Sequence, residues 1–181
     1  MLQTVSDAGP LIHLAQISKL HLLKNLFKQV SITTGVKREV VDEGIRLGQT
    51  DALAVRKAIE EGWIVIHDIP KAMASAAKKL AEGENLSRSD SETILLAKES
   101  GTEIILVDEK PLSDLAKMYG LKVWNTWTIL LEALSKGFIE IPDIKSAINE
   151  LGERRHKLKT KQATEILEAA KLIASRRRET D

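Results

Sequence analysis

The stretch SDSETILLAKESGTEIILVDEKPLSDLAKMYGLKVWNT, residues 89–126, decides the fold. In its first part Asp90, Ile94 and Ala97 share one helical face by their spacing. Ser89 stands three residues before Glu92, the spacing of a capping box, and Gly101 ends the helix. EIILVD follows with an unbroken apolar run, Ile104 to Val107, of strand length, and it stops at Asp108. Pro111 and Gly120 then bound a second helix, and LKVWNT reads as a further strand. Strands that are apolar throughout and alternate with helices indicate a parallel sheet covered on both faces.

The same alternation continues outward. LQTVSD reads as a short buried strand ending at Asp7, and AGPLIHLAQI starts a helix with Pro10 near its first position. KLHLLKNLF is a second apolar-faced helix. QVSIT is a strand, after which Thr34 is expected to cap the helix GVKREVVDE and Gly44 to close it. DALAVRKAIEEG is an amphipathic helix, WIVIHDI a strand, and residues 71–83 form an Ala- and Lys-rich helix. Beyond the fifth strand come WTILLEALSKG, IPDIKSAINEL and KQATEILEAAKLIAS, all helical in pattern. The expected architecture is α/β: a parallel sheet sandwiched between helices over residues 1–141, and a basic helical extension over residues 142–181.

Composition narrows the chemistry. The 181 residues are 43% hydrophobic and 29% charged, ordinary for a soluble domain. The chain has no cysteine, which excludes disulfides, thiolate metal sites and cysteine nucleophiles. No apolar run nears the ~18 residues of a membrane span. The start, MLQTVSDAG, lacks the basic and apolar regions of a signal peptide, so a cytoplasmic protein is expected. No GxxxxGK[ST] or GxGxxG loop is present, which argues against an NTPase or a dehydrogenase. Residues 151–181 hold nine Lys and Arg against five Asp and Glu, whereas the rest of the chain is mildly acidic. That asymmetry fits a polyanionic partner or a solvated charged helix.

Four acidic residues sit where a strand stops or a helix begins: Asp7, Glu39, Asp90 and Asp108. A carboxylate at the end of a buried strand must be hydrated, paired or bound to a cation. In an open parallel sheet the carboxyl ends of the strands form the ligand edge, and Asp7 and Asp108 both close strands there. Carboxylates gathered at one edge repel one another until a cation offsets them. Oxygen-only ligation suits Mg²⁺ or Mn²⁺, and such ions activate water against phosphodiesters. Each residue also has a plainer reading: Asp7 and Asp108 as helix caps, Asp90 as a charge at a helix N-terminus, Glu39 as a surface glutamate.

Taken in order, VSDAGPLI (5–12), VKREV (36–40), SDSETILLAKESG (89–101), LVDEKPLSDLAKMYGLKV (106–123) and the NT at 125–126 resemble the PIN-domain ribonucleases. That family includes the toxins of bacterial and archaeal toxin–antitoxin pairs. The resemblance implies a metal-dependent endoribonuclease that cuts single-stranded RNA with a metal-activated water. Asp7, Glu39, Asp90 and Asp108 are then both its Mg²⁺ or Mn²⁺ ligands and its catalytic set. It also implies an antitoxin protein as partner and a homodimer. An RNA-processing nuclease, or an inactive PIN-like module that binds RNA or protein, is the alternative. The chain departs from the family in carrying Ser89-Asp90 where many relatives have Gly-Glu, in a further acid at Glu109, and in its longer basic C-terminal segment.

Behind these four stand residues with supporting readings. Glu92 either closes the capping box with Ser89 or supports the acidic set, as Glu109 can also do by position. The Thr126 hydroxyl can position a water or a ligand carboxylate. Lys110, Arg154 and Arg155 can meet phosphate or remain solvated. The four histidines follow no metal-ligand spacing and read as core or surface residues.

Overall fold

A computed structural model of the chain describes residues 2–154 and 156–180. Five strands, β1 (Leu2–Ser6), β2 (Phe27–Thr33), β3 (Ile64–His67), β4 (Ile104–Leu106) and β5 (Lys122–Trp124), form one parallel sheet in the order β3-β2-β1-β4-β5. Thr4 lies opposite Val30 on one side of β1 and Ile104 on the other. The chain adds β2 and β3 outward from β1, then returns to lay β4 and β5 on the other side. Strand order therefore reverses between β1 and β4, and their carboxyl ends flank the switch point.

Successive residues of a strand point to opposite faces, yet Thr4 and Val5 are both buried, as are Ile104 and Ile105. Helices therefore cover both faces of the central strands. They are α1 (Ala8–Gln16), α2 (His21–Leu26), α3 (Thr34–Lys37), α4 (Gly44–Arg46), α5 (Asp51–Glu60), α6 (Lys71–Glu84), α7 (Arg88–Glu99) and α8 (Lys110–Met118). Helix α7 packs on β1, β2 and β4, α5 on β3 and α8 on β5. Val5, Ile94, Ala97, Ile105, Leu112 and Ala116 build one side of the core.

Two local expectations are corrected. The helix after β2 is capped by Thr33, whose Oγ1 accepts from the Val36 amide at 3.2 Å, rather than by Thr34. Gly44 does not close it. The helix passes through a π-helical stretch, Arg38–Glu43, into α4, and the chain turns at Gly48 with φ of +71°. Gly44 is right-handed, and a Cβ there would lie 2.6 Å from the Ala52 side chain, so its missing side chain serves packing. The capping box of α7 is formed by Ser87 and Asp90, not Ser89 and Glu92. Ser87 Oγ accepts from the Asp90 amide at 3.0 Å, and Asp90 Oδ2 accepts from the Ser87 amide at 3.1 Å.

The described residues form two compact units, one over residues 2–126 and a second over residues 127–180. That unit contains most of α9 (Thr126–Ser135), α10 (Ile141–Glu153) and α11 (Thr160–Thr180). Ile144, Ala147 and Leu151 of α10 and Ala170 and Ala174 of α11 are buried. Arg177 donates to the Leu134 carbonyl at 2.9 Å and pairs with Glu140, so part of the basic charge is structural. No helix among the described residues is long and apolar enough to cross a membrane.

The two serines at the start of α7 separate the observed cap from the expected one. Ser87→Ala should lower unfolding stability by about 1 kcal/mol, the usual worth of an N-cap. Ser89→Ala should leave it unchanged or raise it by up to about 1 kcal/mol, because the change removes a buried hydroxyl that bonds to nothing. Urea unfolding of the two variants measures the contrast.

Candidate functional site

Asp7 follows β1 directly, and its amide donates to the Leu106 carbonyl at 2.9 Å, tying the end of β1 to β4. The residue is 5% exposed. It occupies the N-cap position of α1 but closes no cap bond there. Burial pushes its carboxyl up to about 7. The Ala8 amide pulls the other way, while Asp90, Glu39 and Glu109 add to the rise. Glu39, in the π-helical stretch, is likewise raised above its ordinary range, by burial first and then by Asp90 and Glu109. Four acids therefore act on one another at the carboxyl edge of the sheet: Asp7 after β1, Glu39, Asp90 in the first turn of α7 and Glu109 after β4. Like charges so placed favour the protonated form of the most buried member.

Asp108 has a different environment. Thr126 donates to it twice, from its amide to Oδ1 and from its hydroxyl to Oδ2, each at 2.7 Å. His13 Nδ1 lies 2.6 Å from Oδ2. Asp108 thus fastens the loop after β4 to α1 and to the start of α9, and Glu109, expected only as an additional acid, is the neighbour whose charge bears on Asp7 and Glu39. Thr126 is 1% exposed and positions a carboxylate through both of its donors.

His13 was legible in the sequence only as a core or surface residue. Its signal is its spacing from Gly9, four residues earlier on α1 and therefore on the same helical face. A Cβ on Gly9 would stand 3.2 Å from Asp108 Cβ and Oδ2, so Gly9 and His13 together form the wall against which Asp108 rests.

The remaining expected residues separate. Glu92 is buried and accepts from Arg88 Nε at 2.8 Å, one turn earlier on α7. Lys110 is exposed and pairs with Asp114 along α8. Arg154 is exposed and caps the C-terminus of α10 in the second unit, and Arg155 lies outside the described residues.

Among the described residues, no three His, Cys, Asp or Glu side chains are gathered tightly enough to hold a metal ion in their present arrangement. The donor chemistry nonetheless suits a hard divalent cation. The groups are carboxylates at one sheet edge, and the one buried most deeply carries a charge that its surroundings disfavour.

The fold agrees with the comparisons to known proteins. The chain belongs to the PIN-domain family, since the DUF3368 family of PIN domains matches residues 3–172. The crystal structure of PAE2754 from Pyrobaculum aerophilum is similar with a TM-score of 0.52 and 19% identity, over 72% of this chain and 96% of that one, which shows a shared fold. No curated protein sequence matches this chain significantly. PIN domains are generally metal-dependent nucleases, the chemistry for which an acidic strand edge is suited.

The raised carboxyl of Asp7 bears on stability. Between pH of about 4 and about 7 the folded chain holds a proton that the unfolded chain has released, so metal-free stability falls as pH rises through that window. The loss is at most about 4 kcal/mol, and it persists at higher pH. In EDTA, Asp7→Asn should therefore be more stable than the parent at pH 8, with the difference vanishing near pH 4. Melting temperatures measured across that range test this; an Asn variant that is less stable at pH 8 would contradict it.

Proposed function

We propose that this protein is a Mg²⁺- or Mn²⁺-dependent endoribonuclease acting on single-stranded RNA. The observation that carries the reading is the convergence of Glu39, Asp90 and Glu109 on the buried carboxyl of Asp7, at the switch point of a PIN-domain sheet. In this reading Asp7, Glu39, Asp90 and Glu109 hold the ion. When bound, the ion supplies an activated water and neutralises charge on the phosphodiester. Asp90 presents its carboxylate from the first turn of α7, where the Ser87 amide already orients one oxygen. Asp108 keeps Thr126 and His13 in place and so fixes the loop that delivers Glu109. Asp7, anchored through its backbone to β4, sets the inner limit of the site.

The family resemblance supports a toxin of a toxin–antitoxin pair as the biological setting, with a protein antitoxin as partner and a homodimer as the working form. The basic second unit is a further surface for RNA or for the antitoxin.

The reading is tested with the purified chain, Mn²⁺ or Mg²⁺, and single-stranded RNA and DNA of the same sequence. RNA should be cut and EDTA should stop the reaction. Asp7→Asn and Glu109→Gln should each reduce cleavage by at least about a hundredfold, the scale lost with an electrostatic catalytic group. Glu109→Gln should not lower the melting temperature in EDTA, and at pH 8 should raise it because a repelling charge is gone, whereas Asp108→Asn should lower it, because it disturbs a hydrogen-bonded carboxylate worth about 1–3 kcal/mol. Cleavage that persists in EDTA, or in the Asp7→Asn variant, would overturn the mechanism.

A further inference from the structure

Beside the acidic edge lies a cavity of about 580 Å³ lined by Thr34, Gly35, Arg38, Asp68, Arg88 and Ser89, with Ile69 and Glu92 completing its wall. Its residues come from the segments that follow β2 and β3 and from the first turns of α7, so it opens at the carboxyl ends of those strands. Two of its residues are chain neighbours of the acidic set: Arg38 precedes Glu39 and Ser89 precedes Asp90. Whatever occupies the cavity therefore sits next to whatever occupies the acidic edge.

The lining has unspent binding capacity. Ser89 Oγ is buried and has no hydrogen-bond partner, a position that normally costs stability unless a ligand or water satisfies it. Gly35 lets α3 pack closely over this hydroxyl: a Cβ there would stand 2.9 Å from Ser89 Oγ and 3.5 Å from Glu92 Oε2. Arg38 is exposed, and no ion pair to it is formed among the described residues. Arg88 spends its Nε on Glu92, and the Thr34 hydroxyl donates to Asp68 at 2.9 Å. The cavity thus offers a free guanidinium at its rim, an apolar wall at Ile69, and the acceptors Asp68 and Glu92.

We infer that this cavity is a nucleotide subsite, which takes the residue of a single strand next to the bond held at the acidic edge. This rests on the nuclease reading above and names how the strand is held. Arg38 meets the flanking phosphate, the interaction that most often fixes register without reading sequence. The base enters the cavity against Ile69, and its edge meets the two acceptors. The bulk of a nucleotide fits a cavity of this size, whereas a lone inorganic phosphate would leave most of it empty. A basic rim beside an acidic site also counters the repulsion that the acidic set would exert on a polyanion.

The test uses the Asp7→Asn chain, which binds without cutting, and fluorescein-labelled oligouridylate in Mg²⁺. Adding Arg38→Ala should weaken binding by about tenfold or more, the usual worth of a charge-assisted contact. It should also reduce the slope of log affinity against log salt by about 0.7, the value for one lost phosphate contact on a single strand. Arg38→Glu should weaken binding further. One neutral methylphosphonate linkage, placed at a single position along the strand, should abolish the difference in affinity between the chains with and without Arg38→Ala. General destabilisation cannot produce that response. Arg38→Ala binding with unchanged affinity and slope overturns the subsite, and would leave the cavity to an acidic side chain of a protein partner. If Asp7→Asn still cuts the strand, the nuclease mechanism fails instead, and the two failures are told apart in one assay.

Discussion

Burying a carboxyl group at the end of the central strand costs free energy, and three neighbouring acids raise that cost. Asp7 is in this position, and the rest of the site is arranged around it. Its backbone amide belongs to the sheet, bonded to Leu106, so its Cα is fixed where β1 meets β4. Its charge is opposed by Asp90, Glu39 and Glu109, each delivered by a different element. A fold that holds such a group in place is under tension that a proton or a cation relieves. Protein stability is small enough that this one group is a sizeable fraction of it.

The strand order explains why these acids meet. β1 lies at the centre of the sheet and β4 beside it, so the segments after both strands end at the switch point. α7 packs on β1, β2 and β4, which brings its first turn to the same edge. The π-helical stretch adds Glu39 from a fourth direction, and departures from α-helical geometry of this kind are often found at functional sites. Asp108 is held by Thr126 and His13, which ties the loop after β4 to α1.

Much of this was legible in the sequence because it depends on local patterns. Apolar runs such as IILV and WIVI marked the strands, and Gly101 and Gly120 marked helix ends; both have positive φ. What was not legible depended on neighbours distant in the chain. Gly44 looked like a stop signal, but Ala52 packs where its side chain would be. Ser89 and Glu92 had the spacing of a capping box, but Ser87 and Asp90 have the same spacing and form it. Spacing cannot choose between two overlapping boxes; where the chain enters the helix decides. Asp108 and Glu109 are adjacent, and only the positions of Thr126 and Gly9 reveal that one is held while the other faces the acidic set.

The central claim is that Asp7 carries a disfavoured charge which a divalent cation relieves. A carbon-detected NMR titration of the Asp7 carboxyl, in EDTA and then in Mg²⁺, measures this directly. A midpoint near 7 is expected without metal, moving well down when Mg²⁺ is present. A midpoint near the ordinary aspartate value in EDTA, unmoved by Mg²⁺, would contradict it.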